Sequence, residues 1–339
     1  MDKALDTLFH PFETGLLMPP ADDVRAVFLG ARPHSTLRLF PNITLQQYFK
    51  PYARILQDQG FAVSSDFTSA DNHHNYALVL LPKNMVEARY LLAQGLKILK
   101  SGGVLVAAAD NNAGGNRIKK ILQEFGVENI CEESKNKCRV VWGQKSQAQI
   151  QSVEKAIEEG QMQFVSATGF QSMPGIFGWD KIDKGSEILL RHVPTDLKGN
   201  GADFGCGYGF LARHVLQNCS GVQSLSCIDA DYRAIKACRE NLSSFKSARF
   251  FWEDLTAPIH ELSDLDFIIM NPPFHEGKDP DSNIGKSFIQ TAAQSLRPAG
   301  QLWMVANVQL PYEAVLKENF ESVDKKFEGQ GFKIYCAVK

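Results

Sequence analysis

Residues 201–210 read Gly-Ala-Asp-Phe-Gly-Cys-Gly-Tyr-Gly-Phe, three alternate glycines set where a short β-rich run stops and a helical pattern starts. No other feature restricts the fold so strongly. Glycine at a strand-to-helix turn admits positive φ and lets the backbone approach a ligand lying across the carboxyl ends of parallel strands. Strand-like runs follow at 225–229, 248–252, 267–270 and 301–306, and helical spacing at 210–216, 231–242 and 287–296. This alternation specifies a parallel sheet covered by helices. The runs 323–327 and 333–338, joined through Glu-Gly-Gln-Gly, predict a closing antiparallel hairpin.

The first half repeats part of the plan. A strand at 76–82, a helix through Leu99 and a run at 100–110 parallel 266–272, a helix through Leu296 and 297–307. The offset is 190 at the first strand and 197 at the second, so the later copy has a loop seven residues longer. Where that copy has Asn271-Pro272-Pro273-Phe274, the earlier one has Leu81-Pro82-Lys83-Asn84, and no glycine-rich turn follows an early strand. Residues 145–163, polar and rich in Gln and Glu, make a candidate linker or exposed helix. The expected fold is α/β: two tandem Rossmann-like domains, 1–160 and 161–339, each a mostly parallel sheet flanked by helices, with a C-terminal antiparallel hairpin.

Composition narrows the function by exclusion. With 36 Lys+Arg against 38 Asp+Glu, the net charge of −2 announces no polyanion on its own. The longest apolar stretches fall far short of the roughly 20 residues of a membrane helix, and the first residues do not read as a signal peptide, so a cytoplasmic protein without membrane contact is expected. Seven cysteines without a C-x-x-C pair argue against a disulfide framework or a zinc cage, and no metal is expected.

The glycines at 205, 207 and 209 depart from the G-x-G-x-x-G dinucleotide spacing, which disfavours pyrophosphate. Asp229 ends the next strand, where a carboxylate can accept ribose hydroxyls, and Asp254 follows the third, within reach of an adenine amine. Together they describe a nucleoside ligand without phosphate. Cys206 reads as a small apolar residue, since no histidine is near to activate it. Asn271-Pro272-Pro273-Phe274 presents acceptors and an aromatic ring. The Asn271 oxygen and the Pro272 carbonyl can take both hydrogens of a planar amine and aim its lone pair at an electrophile, while Phe274 stacks on the base.

Through these motifs the chain resembles the class I S-adenosylmethionine-dependent methyltransferases that modify exocyclic or amide nitrogens with (Asn/Asp)-Pro-Pro-(Phe/Tyr). Pro174-Gly-Ile-Phe-Gly178, Ile182-Asp183-Lys-Gly185-Ser186 and 305–312 extend the likeness to the bacterial ribosomal RNA guanine-N2 methyltransferases over the whole second half. The first half resembles the degenerate amino-terminal domain of the small-subunit members. The resemblance implies S-adenosylmethionine as donor and the N2 of one guanosine in 16S ribosomal RNA, within the small subunit, as acceptor. It implies a monomer whose first domain serves substrate placement or stability. It sets Asp203 beside the methionine moiety with Gly205, Cys206 and Gly207, Asp229 on the ribose and Asp254 on the adenine amine. Phe177 and Asp183 border the cofactor, with Phe177 open to a core role, and Asn271 serves both cofactor and catalysis with Pro272, Pro273 and Phe274. His275 touches substrate or phosphate rather than acting as a base. The family commonly has Ser where this chain has Gly178.

The segment 275–286 is a candidate lid with hinges at Gly277 and Gly285, and Arg25, Arg32, His34, Arg38 and Lys50 a candidate basic face. Alternatives are a large-subunit RNA acceptor, a protein glutamine-N5 methyltransferase, a non-catalytic ribosome-assembly factor and a nicotinamide oxidoreductase.

Overall fold

The computed structural model describes residues 2–66, 72–146, 151–259, 262–273 and 282–339. Phe274, His275 and most of the candidate lid therefore lie outside the described residues. The chain divides into two compact units, Met1–Gln161 and Met162–Lys339.

The first unit runs α1 (Lys3–Glu13), β1 (Arg25–Leu29), β2 (Asn42–Gln46), α2 (Lys50–Asp58), β3 (Val63–Ser64), β4 (His74–Leu80), α3 (Met85–Ile98), β5 (Leu99–Asp110), α4 (Ile118–Glu124), β6 (Glu128–Lys135), β7 (Cys138–Gln144) and α5 (Gln151–Gly160). The second opens with a small hairpin, β8 (Gln163–Val165) and β9 (Phe170–Ser172). It continues α6 (Lys184–Leu190), β10 (Lys198–Phe204), α7 (Phe210–Asn218), β11 (Gly221–Asp229), α8 (Tyr232–Asn241), β12 (Ala248–Trp252), β13 (Leu265–Met270), α9 (Ser282–Ser295), β14 (Leu296–Asn307), α10 (Glu313–Asn319), β15 (Ser322–Gly329) and β16 (Phe332–Val338).

The two large sheets have one topology. Their orders are β3-β2-β1-β4-β5-β7-β6 and β12-β11-β10-β13-β14-β16-β15, and in each the first five strands pair in parallel and the last two antiparallel. Central strands covered on both faces must be apolar on both sides, which is why they read as near-continuous hydrophobic runs rather than alternating ones. Val27, Ala77 and Val79 accordingly enter one apolar cluster of the first unit while Phe28 and Leu78 enter the other. The same alternation sends Ile268 and Met270 to one side of the second sheet and Phe267 and Ile269 to the other. The final hairpin turns through Gln330 and Gly331, both at positive φ (55° and 88°), as a two-residue turn matched to strand twist requires.

Strand register corrects the offset read from the sequence. Tyr76 pairs with Val104 as Phe267 pairs with Gln301, after an irregularity one residue earlier in each strand. The offset at β4 and β13 is thus 191, the later loop is six residues longer, and Leu80, not Leu81, stands in the place of Asn271. Residues 151–160 are not a free linker. They form α5, whose Ala156 is buried and whose Val153 and Ile157 pack on the apolar cluster that includes α3. Gly160 sits directly against the Tyr90 side chain, leaving no room for a Cβ.

Candidate active site

The glycine turn leaves the carboxyl end of β10. Gly205, Gly207 and Gly209 all have positive φ, at 75°, 53° and 93°, so all three are required by backbone conformation, and Gly209 is the N-cap of α7. Gly205 N and Cys206 N both donate to the Ile228 carbonyl (2.9 and 3.0 Å), Gly207 N donates to Asp229 Oδ2 (2.9 Å) and Gly209 N to the Cys206 carbonyl (2.9 Å). A loop whose amides are committed inward is a poor nest for phosphate, which needs several free N–H groups converging on one point. The glycine spacing and the hydrogen bonding therefore disfavour pyrophosphate by independent routes.

Beneath the loop, Asp203 is fully buried. Its Oδ2 accepts from Ala212 N in the first turn of α7 (3.0 Å), and its Oδ1 has no partner. Burial, with the Cys227 thiol and Asp229 adding repulsion, pushes the Asp203 carboxyl well above the usual carboxylate range. The Cys206 side chain points inward, among the Cys227 and Cys238 thiols and the apolar cluster behind the loop, and burial raises its thiol. A thiol held in its protonated form is a poor nucleophile, so only the backbone of Cys206 faces the loop's outer side.

Asp229 ends β11. Its Oδ1 accepts from Asp231 N (2.8 Å) and its Oδ2 from Gly207 N, which ties the second strand to the glycine turn. Burial pushes its pKa up to about 6 despite these donors. Asp254 follows β12, where its Oδ1 accepts from Thr256 N (2.9 Å) and Thr256 Oγ1 (2.6 Å). The three strand ends thus present glycine, acid and acid side by side along one sheet edge, in the order β10-β11-β12.

On the other side of β10 comes β13, and directly after it Asn271. Asn271 Nδ2 donates to Asp183 Oδ1 (2.7 Å) and to Ser186 Oγ (2.8 Å), while Asn271 Oδ1 is buried and unpaired. Asp183 is the N-cap of α6 and its Oδ1 also accepts from Ser186 N (2.9 Å). Burial, reinforced by the Asp183 charge, pushes the Tyr208 hydroxyl up to about 12, which places the glycine turn and the head of α6 in one electrostatic neighbourhood. Pro272 is buried and Pro273 exposed.

Other expectations change. Phe177 is 73% exposed, so the core role left open for it does not hold. Gly285 lies inside α9 against the Tyr312 side chain and is no hinge. The basic face loses two members: Arg32 pairs with Asp2 and lies over the Tyr52 ring, and His34 meets Asp6 (3.3 Å) and stacks on Phe9. Ser186 received no role from the sequence, although it stands three residues after a helix-capping Asp, where a first-turn side chain can reach back toward the strand ends. Among the described residues, no group of three metal-binding side chains occurs and no helix is long and apolar enough to cross a membrane.

Known proteins carry both halves. The family described as "Methyltransferase small domain" matches residues 167–336, and "Methyltransferase small domain N-terminal" matches residues 35–159. The ribosomal RNA small subunit methyltransferase C of Aliivibrio salmonicida is 30% identical over 79% of each chain. That of Aliivibrio fischeri strain MJ11 is 31% identical over 81% of this chain and 80% of its own. The solved T. thermophilus 16S rRNA N2 G1207 methyltransferase, in complex with AdoMet and guanosine, superposes with a TM-score of 0.82 at 21% identity, covering 99% of this chain and 91% of that one. At that identity the likeness establishes the two-domain fold.

Proposed function

The chain belongs to the ribosomal RNA small subunit methyltransferase C family, and from that premise we propose that it transfers a methyl group from S-adenosylmethionine to the exocyclic N2 of a guanosine in 16S ribosomal RNA. The observation that carries this reading is the unpaired Asn271 Oδ1, a fixed acceptor at the carboxyl edge of the sheet beside the glycine turn. The relatives named above act, by name, on small-subunit ribosomal RNA, and the solved neighbour is in complex with AdoMet and guanosine.

The residues present suit such a cofactor. Gly205, Cys206 and Gly207 would carry bare backbone along its methionine end, over buried Asp203. Asp229 would accept from the ribose hydroxyls and Asp254 from the adenine amine, with exposed Phe177 at the border. S-adenosylmethionine supplies, when bound, an electrophilic methyl group on a sulfonium. Everything else required is orientation. The guanine amine is planar because its lone pair is delocalised, so it is a poor nucleophile until both hydrogens are held and the nitrogen can pyramidalise. Asn271 Oδ1 and the Pro272 carbonyl accept those hydrogens, Phe274 stacks on the ring, and His275 contacts the nucleotide. The proton lost by nitrogen leaves to water, so no side chain need act as base. Because a paired guanine hides its N2 edge from a pocket of this kind, the acceptor is an exposed or everted base.

We assign residues 1–160 to substrate placement or stabilisation and residues 161–339 to catalysis, within a cytoplasmic monomer. Transfer of labelled methyl groups from S-adenosylmethionine into small subunits, large subunits, free ribosomal RNA and a release factor, all from cells lacking the protein, tests the assignment. N2-methylguanosine in small-subunit RNA is the expected product. Label in the release factor would replace RNA with a glutamine side chain, and no label despite cofactor binding would leave an assembly factor.

A further inference from the structure

An asparagine amide has two ends of nearly equal shape, and only one of them serves an incoming amine. If Asn271 turned its NH2 outward it would meet the hydrogens of the amine with hydrogens of its own. What decides the orientation is what lies behind it: a carboxylate oxygen of Asp183, which can only accept, at 2.7 Å, and the Ser186 hydroxyl at 2.8 Å. We propose that Asp183 and Ser186 are positioning residues that hold the Asn271 NH2 and so leave Oδ1 as the unpaired end of the amide, so that the site takes an –NH2 acceptor group and refuses a carbonyl. This rests on the functional reading above and moves Asp183 from the cofactor border to the support of the reacting group.

The helix α6 makes the lock rigid. Asp183 Oδ1 simultaneously caps the helix through Ser186 N, so the oxygen that faces Asn271 is fixed by backbone rather than by a free rotamer. The first unit supplies an internal control. Its α1 packs on β5 and β7 as α6 packs on β14 and β16, and it too begins with a capping aspartate, Asp2. Three residues on stands Leu5 in place of Ser186, the strand end carries Leu80 in place of Asn271, and these two leucines share one apolar cluster. The Asp2 carboxylate meets Arg32 instead. The polar triad is thus present in the unit that has the Asn-Pro-Pro motif and replaced by apolar contact in the unit that lacks it.

The test separates cap from lock. Serine caps a helix about as well as aspartate but is one bond shorter, so Asp183→Ser keeps the cap and withdraws the acceptor from Asn271. Asp183→Asn keeps both the capping oxygen and the acceptor. With the full chain and small subunits, Asp183→Ser is expected to retain the wild-type melting temperature and cofactor Kd while kcat drops at least tenfold. Asp183→Asn should retain at least five times the kcat of Asp183→Ser. Asn271→Asp sets two carboxylates face to face and should lose at least a hundredfold in kcat, of which adding Asp183→Asn, which removes one of the two facing charges while its oxygen keeps the cap, recovers at least tenfold. An Asp183→Ser enzyme with unchanged kcat and weakened cofactor binding would return Asp183 to the cofactor, and an Asn271→Asp enzyme indifferent to residue 183 would remove the lock. If the wild-type acceptor proves to be a side-chain amide, the guanine reading fails, and the same variants assayed on that amide still decide the lock, because its NH2 makes the same demand.

Discussion

The two halves build the same sheet and furnish its edge differently. By strand register, Phe28 stands where Asp203 does, Gln47 where Asp229 does, and Leu80 where Asn271 does. The turn after β1 begins with Gly30, also at positive φ (70°), but continues with Arg32 and His34 where the second unit has Gly207 and Gly209. Gln47 closes on its own loop: Nε2 donates to the Ala31 carbonyl (2.6 Å) and Oε1 accepts from Phe49 N (2.7 Å). Asp229 makes the corresponding contacts as an acceptor at both ends and, as a carboxylate, has lone pairs left over. Apolar pattern and register suffice for the architecture. A handful of glycine, acid and amide positions decides whether the strand ends can hold a nucleoside and an amine.

Breaking the second unit should cost most at the reacting group. Asn271→Ala is expected to lower kcat by about 10²- to 10³-fold, the usual scale for a preorganised polar group, with cofactor Kd unchanged, and single-turnover rates at saturating cofactor check it. If Asp229 holds the ribose as proposed, Asp229→Ala removes charged hydrogen bonds to both ligand and loop, a loss of about 2 kcal/mol or more and so roughly 30-fold in cofactor affinity, measured by calorimetry. The Asp229 pKa of about 6 sharpens the point. Below it the carboxylate takes up a proton and loses an acceptor, so cofactor affinity should weaken as pH falls through about 6, by no more than about tenfold per unit for one proton. Since this pKa is raised in the folded protein, the same group favours folding at low pH and loses that contribution as pH rises through 6, so the cofactor-free wild type should lose more melting temperature between pH 4 and pH 7 than Asp229→Ala does. Least affected should be the first unit. Arg32→Ala breaks a half-exposed pair with Asp2 and a stack on Tyr52, about 0.5–1 kcal/mol in stability, and should leave cofactor Kd untouched.

Much of this edge was legible in the sequence because it is written in residues with few other uses. Three alternate glycines, an acid at the next strand end and Asn-Pro-Pro at the fourth each have a backbone or acceptor reason to stand where they do, and the parallel sheet follows from the alternation of runs. The one-residue slip between 190 and 191 was not legible, since both central strands are apolar on both faces and their hydrophobic pattern fits either alignment. The helix α5 was one of the two readings of its segment, but its packing was not legible, because the few residues that make it, Val153, Ala156, Ile157 and Gly160, are sparse among polar ones. The role of Ser186 was invisible for another reason: it depends on an approach across 85 residues of chain.

Of the two look-alike domains, the proposal gives a working nucleoside site to the second alone. Calorimetric titration of S-adenosylmethionine into the full chain, with Asp229→Ala alongside, tests it most directly. One site per chain, weakened about 30-fold or more in the variant, is the predicted result. Two sites per chain, or an undiminished single site in the variant, would contradict it.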